Sequence, residues 1–195
     1  ADNLDTTSRN IPGPQGESEL TVKIYRPKEK FNTKLPGLLW IHGGGFLFGS
    51  ADTSELWAPC LVDQVKCVAV SVNYRLAPEH PYPAGLEDCY AALVWVAENA
   101  EELDIDVNRI AIGGESGGGG LTAALSLLAR DRKGPKIIFQ MPLYPMIDDR
   151  NSTPSSYEIT DERCWNRGTN IAAWEMYLKN YKGKEIPIYA APSRA

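Results

Sequence analysis

The sequence lacks the long apolar run and the basic cluster that many membrane and nucleic-acid-binding proteins carry. None of its 195 residues lie in an apolar stretch long enough to span a bilayer. Residues 1–5 do not begin a basic region followed by an apolar run, as a secretory leader would. The net charge is −5, which argues against nucleic acid or an anionic membrane as the main partner. We therefore expect no stable membrane insertion and no nucleic-acid partner.

Cysteine is scarce and follows no recognisable spacing. The four cysteines form neither a Cys-x-x-Cys pair nor a metal-ligand pattern; they are Cys60, Cys67, Cys89 and Cys164. Free thiols fit a reducing compartment, which predicts a cytoplasmic protein without a bound metal. Asn151-Ser152-Thr153 matches a glycosylation acceptor, but without a secretory signal we interpret it as a plain loop.

Alternating apolar runs and amphipathic segments predict one α/β domain. Short apolar runs flanked by turn residues indicate buried strands, whereas spacings of three and four indicate helices. The predicted strands are 20–25, 38–41, 68–72, 110–112 and 137–141, and the predicted helices are 53–65, 84–99 and 117–130. Residues 9–17 are turn-rich. This alternation implies a mostly parallel sheet with helices on both faces.

A strand, a glycine-lined turn and a helix start surround one serine in the segment 109–121. This layout is that of a nucleophile elbow, which would expose the hydroxyl of Ser116 beside the unpaired N–H groups of a helix start. A glycine-rich turn that only closes the packing is the alternative. Phosphate binding does not fit, because no Lys-Ser or Lys-Thr follows the glycines, and Thr122 replaces the last glycine of a dinucleotide fingerprint.

A second glycine cluster, His42-Gly43-Gly44-Gly45-Phe46, directly follows a predicted central strand. In a parallel sheet, the loops after successive strands reach the same carboxyl edge. The amides of Gly44 and Gly45 could then meet the amide of Gly117 around one oxygen atom. Such backbone amides would stabilise the oxyanion of an acyl-transfer reaction.

Three motifs together resemble the hormone-sensitive lipase family of α/β-hydrolase carboxylesterases. They are the glycine cluster at 42–46, the segment 73–84 (Asn-Tyr-Arg-Leu-Ala-Pro-Glu-His-Pro-Tyr-Pro-Ala) and Gly-Glu-Ser-Gly-Gly at 114–118. They stand in the order and spacing of the family, and the likeness runs from about residue 10 to the end. The resemblance implies an α/β-hydrolase fold that hydrolyses short- to medium-chain carboxylic esters through an acyl-enzyme, without a cofactor.

The resemblance also implies roles for individual residues. Ser116 would be the nucleophile, and the amides of Gly44, Gly45 and Gly117 would form the oxyanion hole. His42, Gly43 and Glu115 would support these loops. Arg75 and Glu79 would form a buried ion pair or backbone contacts, and we expect His80 to be a structural histidine. Alanine is usual in the family at the position of Gly117, so the turn is predicted to be more flexible here.

The chain departs from the family after Ser116, where no histidine follows. In this fold the triad order is serine, acid, histidine, and both histidines, His42 and His80, precede the serine. The later acids, at positions 131, 148, 149 and 161, cannot be assigned. We therefore expect one domain over 1–195 that is incomplete at its C-terminus and inactive alone. An exposed sheet edge would make it oligomeric, unstable or dependent on a partner chain.

Residues 147–182 are expected to form a cap or lid inserted into this domain. The segment begins with a polar run and continues with aromatic residues, including Trp165, Trp174, Tyr177 and Tyr181. These aromatics could face an acyl chain, or they could only dock a helix, an interpretation favoured for the two tyrosines. A non-catalytic small-molecule-binding protein on the same scaffold is the alternative function, because fold alone does not fix function.

Overall fold

The computed structural model describes residues 3–195, with only the backbone of residues 54 and 55. The N-terminal stretch 1–5 considered above begins with residues 1 and 2, which lie outside this range. Six strands form one sheet: β1 (Leu4–Ile11), β2 (Leu20–Pro27), β3 (Leu35–Ile41), β4 (Val68–Val72), β5 (Ile105–Glu115) and β6 (Phe139–Leu143). Their order across the sheet is β1-β2-β4-β3-β5-β6.

The four strands β4, β3, β5 and β6 are parallel, whereas β2 pairs antiparallel with both β1 and β4. Every residue of β4 is buried, as are the last five residues of β3. Continuous burial is expected where a parallel strand is covered on both faces. The prediction of a mostly parallel sheet with helices is confirmed.

Helices cover both faces of the sheet. The helices are α1 (Ala58–Leu61), α2 (Ala84–Glu98), α3 (Gly117–Asp131), α4 (Pro154–Glu158) and α5 (Arg167–Tyr177). Leu39 and Ile41 of β3 join a large core with α2, α3 and α5. Leu38 and Trp40, which alternate with them, join a second core with α1. The alternation along β3 therefore separates two apolar layers.

Three sequence predictions about the elements need correction. Residues 9–11 belong to β1, an edge strand whose six central side chains are exposed. The predicted helix over 53–65 is broken into a 3₁₀ turn at Ala51–Leu56, the short α1 and a π turn at Val62–Lys66. The predicted buried strand 137–141 is an edge strand that pairs only with β5, so Phe139 is 59% exposed.

All four cysteines are free thiols in the structure, with Cys67 and Cys89 buried. This agrees with the sequence interpretation. Burial raises the pKa of the Cys67 thiol to about 11. Within residues 3–195, no helix is both long and apolar enough to cross a membrane.

Candidate active site

Ser116 stands at the junction between β5 and α3 in a strained backbone conformation. Its φ is 54° and its ψ is −117°, a combination that a residue with a side chain rarely adopts. Its N–H donates to the Leu143 carbonyl at 2.9 Å, and its own carbonyl accepts from the N–H groups of Gly120 and Met146 at 3.0 Å. These hydrogen bonds hold the elbow in place. The predicted strand-turn-helix layout is therefore present.

The glycines after Ser116 allow the backbone of α3 to approach neighbouring strands closely. A Cβ added to Gly118 would lie 2.1 Å from the Ile41 carbonyl oxygen and 2.4 Å from the His42 carbonyl oxygen. A Cβ added to Gly120 would lie 2.1 Å from the Met146 carbonyl oxygen. Any larger residue would push backbone atoms apart, since no side chain is there to rotate away. Close approach outweighs the poor helix propensity of these glycines.

The loop after β3 lies directly against the elbow. Gly44 and Gly45 have φ angles of 112° and 60°, and Phe46 follows with 68°. A Cβ added to Gly117 would lie 3.0 Å from the Gly45 nitrogen and 2.9 Å from the Phe46 nitrogen. The two glycine-rich loops therefore meet at the carboxyl edge of the sheet, as the sequence predicts.

Glu115 links this loop to the elbow from the residue before the serine. The Gly43 N–H donates to Glu115 Oε1 at 2.8 Å. Burial raises the pKa of Glu115, although the Gly43 hydrogen bond opposes that shift. The indole N–H of Trp40 lies near enough to lower the pKa slightly but makes no well-formed hydrogen bond. Glu115 is thus placed to fix the first glycine of the loop.

His42 is fully buried and contacts the glycine loop through Gly43. Its Nδ1 donates to the Gly43 carbonyl oxygen at 2.7 Å, because a carbonyl can only accept. Its ring stacks on Tyr74 at 4.2 Å, and the Tyr74 hydroxyl donates to the His42 carbonyl oxygen at 2.9 Å. Burial lowers the pKa of His42 and so favours the neutral ring. These contacts suit a supporting residue.

A cleft of about 410 Å³ opens onto Ser116. It is lined by residues from the segments 144–159 and 165–174 and includes Trp165, Asn170 and Trp174. Neither histidine lines it. Asp148 does, but its carboxylate accepts from Arg150 Nε at 2.7 Å, and this bond holds its pKa below the ordinary range. The cleft therefore presents the Ser116 hydroxyl and, among residues 3–195, no histidine beside it.

The expected ion pair of Arg75 is wrong, and the acids that the sequence left unassigned are paired with arginines. Arg75 does not pair with Glu79, which is exposed; it binds the fully buried Asp88 through two nitrogens and also contacts Glu17. His80 is exposed and does not line the cleft, so its structural role stays a prediction. The other three acids that the sequence left unassigned are also in ion pairs: Asp131 with Arg130, Asp149 with Arg194, and Asp161 with Arg163.

Sequence reasoning missed the polar contacts that order the cleft wall. Asn151 is buried in a left-handed conformation with φ 50°, and its side chain donates to the Asp149 carbonyl oxygen. It also accepts from Asn170. The only sequence signal was that Asn151-Ser152-Thr153 matches a glycosylation site. The structure buries Asn151, whereas a glycosylated asparagine would be exposed.

Comparison with known proteins assigns the family. The profile of a family described as alpha/beta hydrolase fold matches residues 38–195. The chain belongs to the α/β-hydrolases of the hormone-sensitive lipase type. It is 44% identical to carboxylesterase NlhH of Mycobacterium tuberculosis over 186 residues, which are 94% of this chain and 58% of NlhH. The family prediction from the three motifs is confirmed.

Solved structures agree with this assignment. A bacterial heroin esterase superposes with a TM-score of 0.94 at 39% identity, covering 100% of this chain and 62% of that one. The esterase LipW from Mycobacterium marinum gives a TM-score of 0.90 at 34% identity, with 100% and 60% coverage. The chain therefore spans about three-fifths of the length of these relatives.

Proposed function

We propose that this chain is the nucleophile-bearing part of a serine carboxylesterase acting on short- to medium-chain carboxylic esters. The observation that carries the proposal is the contact between the strained turn at Ser116 and the loop containing Gly45. A serine exposed at a strand-to-helix turn, with backbone amides alongside, is the arrangement that acyl transfer needs. The relatives named as esterases support the same reaction class.

In the proposed reaction, the Ser116 hydroxyl oxygen attacks the ester carbonyl carbon. The hydroxyl proton passes to a general base, and the amides of Gly44, Gly45 and Gly117 hold the negative oxygen of the tetrahedral intermediate. The intermediate collapses, and the alcohol leaves with that proton. Water then attacks the acyl-enzyme, which releases the carboxylic acid and restores Ser116. A resident metal or cofactor has no role in this proposal.

We assign the general base and its acid partner to residues outside the 195 of this sequence. His42 is fixed by Gly43 and Tyr74 away from the cleft, and His80 does not line it. Asp148 already accepts from Arg150. Because serine is a weak nucleophile without an adjacent base, we expect the 195-residue chain alone to turn over very little ester.

The test is hydrolysis of p-nitrophenyl acetate and butyrate by the full-length protein that carries this chain. Ser116→Ala should lower kcat by about 10⁴-fold or more, as removal of a nucleophile does in related mechanisms. Ser126→Ala is the matched control, since Ser126 lies on α3 and donates to the Thr122 carbonyl oxygen at 3.1 Å. It should keep full activity.

Two results would contradict the proposal. One is full activity in Ser116→Ala, which would place the chemistry elsewhere. The other is no hydrolysis of either ester by a folded full-length protein, which would favour the non-catalytic binder. Strong turnover by the 195-residue chain alone would refute only the assignment of the base to residues outside it.

We further propose a cytoplasmic location, a cap formed by residues 147–182, and self-association of the isolated chain. The free cysteines support the first proposal, and the segments lining the cleft above Ser116 support the second. Ile138 and Phe139, which are 51% and 59% exposed beside the β6 edge, support the third. Cell fractionation, deletion of the cap and light scattering would test them in turn.

A further inference from the structure

Trp165 lies across the glycine cluster at 42–46 rather than inside the core. A Cβ added to Gly45 would lie 2.1 Å from Cη2 of the indole and 2.9 Å from Cζ2 and Cζ3. The six-membered part of the ring is therefore packed directly against the Cα of Gly45. The side chain is half-buried and lines the same cleft as Ser116.

Directed hydrogen bonds hold the indole in this position. Its Nε1 donates to Asn170 Oδ1 at 3.0 Å, and the Asn170 amide in turn donates to Asn151 Oδ1. The Asn151 carbonyl oxygen accepts from the Arg167 guanidinium and from the Ser156 hydroxyl at 2.8 Å. A ring held at one end by such a network has few alternative rotamers. It forms a fixed wall of the cleft.

We propose that Trp165 is a specificity-determining residue that limits the size of the ester group lying beside the glycine cluster at 42–46. This inference rests on the proposed esterase function. A group bound on Ser116 with its carbonyl oxygen at the amides of Gly44 and Gly45 must pass the indole, because the indole covers the Gly45 Cα. Asn170 is a positioning residue that acts through Trp165.

A purely structural role for Trp165 predicts a different result. Aromatic residues that dock α5 are already present: Tyr177 stacks on Phe46 at 4.1 Å, and Trp174 contacts the same ring edge-on at 5.3 Å. Both are buried, although Trp174 also lines the cleft, whereas Trp165 is only half-buried there and lies against Gly45. If Trp165 only docked the helix, its removal would lower stability and slow all esters alike.

The experiment measures kcat/KM of the full-length protein for two ester pairs. One pair varies the acyl group, p-nitrophenyl acetate against hexanoate, and the other varies the alcohol, phenyl acetate against 1-naphthyl acetate. The variants are Trp165→Ala, Trp165→Phe and Asn170→Ala, with Met176→Ala as the control because its side chain is 40% exposed on α5. Thermal unfolding and titration of the reactive serine report whether each variant is folded.

In one of the two pairs, Trp165→Ala should raise the ratio of kcat/KM for the large ester to kcat/KM for the small ester by about 10-fold. Changes in pocket contacts commonly produce effects of this magnitude. Trp165→Phe and Asn170→Ala should raise it less, and Met176→Ala should leave it unchanged. Ratios that stay the same or fall in both pairs overturn the inference, even where all rates drop together. If Trp165→Ala does not fold, the ratios of Asn170→Ala decide. Absence of hydrolysis by the unsubstituted protein would instead refute the esterase proposal itself.

Discussion

Replacing Gly118 by alanine should separate the two loops of the candidate site. The added Cβ would lie 2.1 Å from the Ile41 carbonyl oxygen, 2.4 Å from that of His42 and 2.7 Å from the Ile41 carbonyl carbon. All three are backbone atoms, two of Ile41 at the end of β3 and one of His42 at the start of the glycine cluster. No side-chain rotation can relieve the overlap, so α3 and β3 must move apart.

The size of this movement follows from ordinary contact distances. Carbon and carbonyl oxygen approach to about 3.3 Å in close backbone contacts, so a contact of 2.1 Å requires a shift of about 1 Å. A displacement of about 1 Å between reacting groups can cost about 10²-fold in rate. Overpacking in a filled interior also costs about 1–3 kcal/mol of stability. Gly118→Ala should therefore lose about 10²-fold in kcat/KM and unfold at lower urea.

Gly168→Ala is the matched control for this variant. Gly168 is the second residue of α5, as Gly118 is of α3, and its added Cβ would meet only Asn166 Oδ1 at 3.4 Å. The control should keep its activity and gain up to about 1 kcal/mol. Rates for p-nitrophenyl acetate are measured well below both melting temperatures. A Gly118→Ala protein with unchanged kcat/KM would refute the proposed convergence of the two loops on one site.

Three further changes test the supports of the site. Burial raises the pKa of Glu115, so the stability that its protonated form contributes is lost as pH rises through that pKa. Glu115→Gln does not titrate, so its free energy of urea unfolding should increase relative to that of the unsubstituted chain between pH 4 and pH 7. Asp88→Asn leaves Arg75 without its buried carboxylate and should cost about 3 kcal/mol in urea unfolding. Tyr177→Ala should lower the free energy of unfolding by about 3–5 kcal/mol. Its control, Met176→Ala, removes an exposed side chain and should lower it by less than about 0.5 kcal/mol.

The parts of the fold that sequence predicted are those with strong local signals. Continuous apolar runs identified β3 and β4, since burial on both faces leaves no polar positions. The turn at Ser116 was predictable because its conformation demands nearby glycines. β1 was missed because only Leu4 and Ile11, at its two ends, are buried. Its pairing with β2 stabilises it, and no local pattern records that pairing.

The charged contacts of the site were harder to predict because their partners are distant in sequence or separated by a turn. The family resemblance implied that Arg75 and Glu79, four residues apart, form an ion pair or backbone contacts. The segment between them is not helical, and Asp88 in the first turns of α2 takes the guanidinium instead. Trp165 contacts Gly45 across 120 positions. No periodicity or motif connects residues at that separation, so only tertiary packing shows the contact.

The conformation of Ser116 links the edge of the sheet to the candidate chemistry. A side chain held in such a backbone region costs about 1–3 kcal/mol, while each backbone hydrogen bond contributes about 1 kcal/mol net. Ser116 has three, and two of them come from Leu143 and Met146, at and just after the end of β6. Without these two bonds the remaining one would scarcely offset the strain. The exposed strand β6, which pairs only with β5, is therefore part of what holds the serine outward.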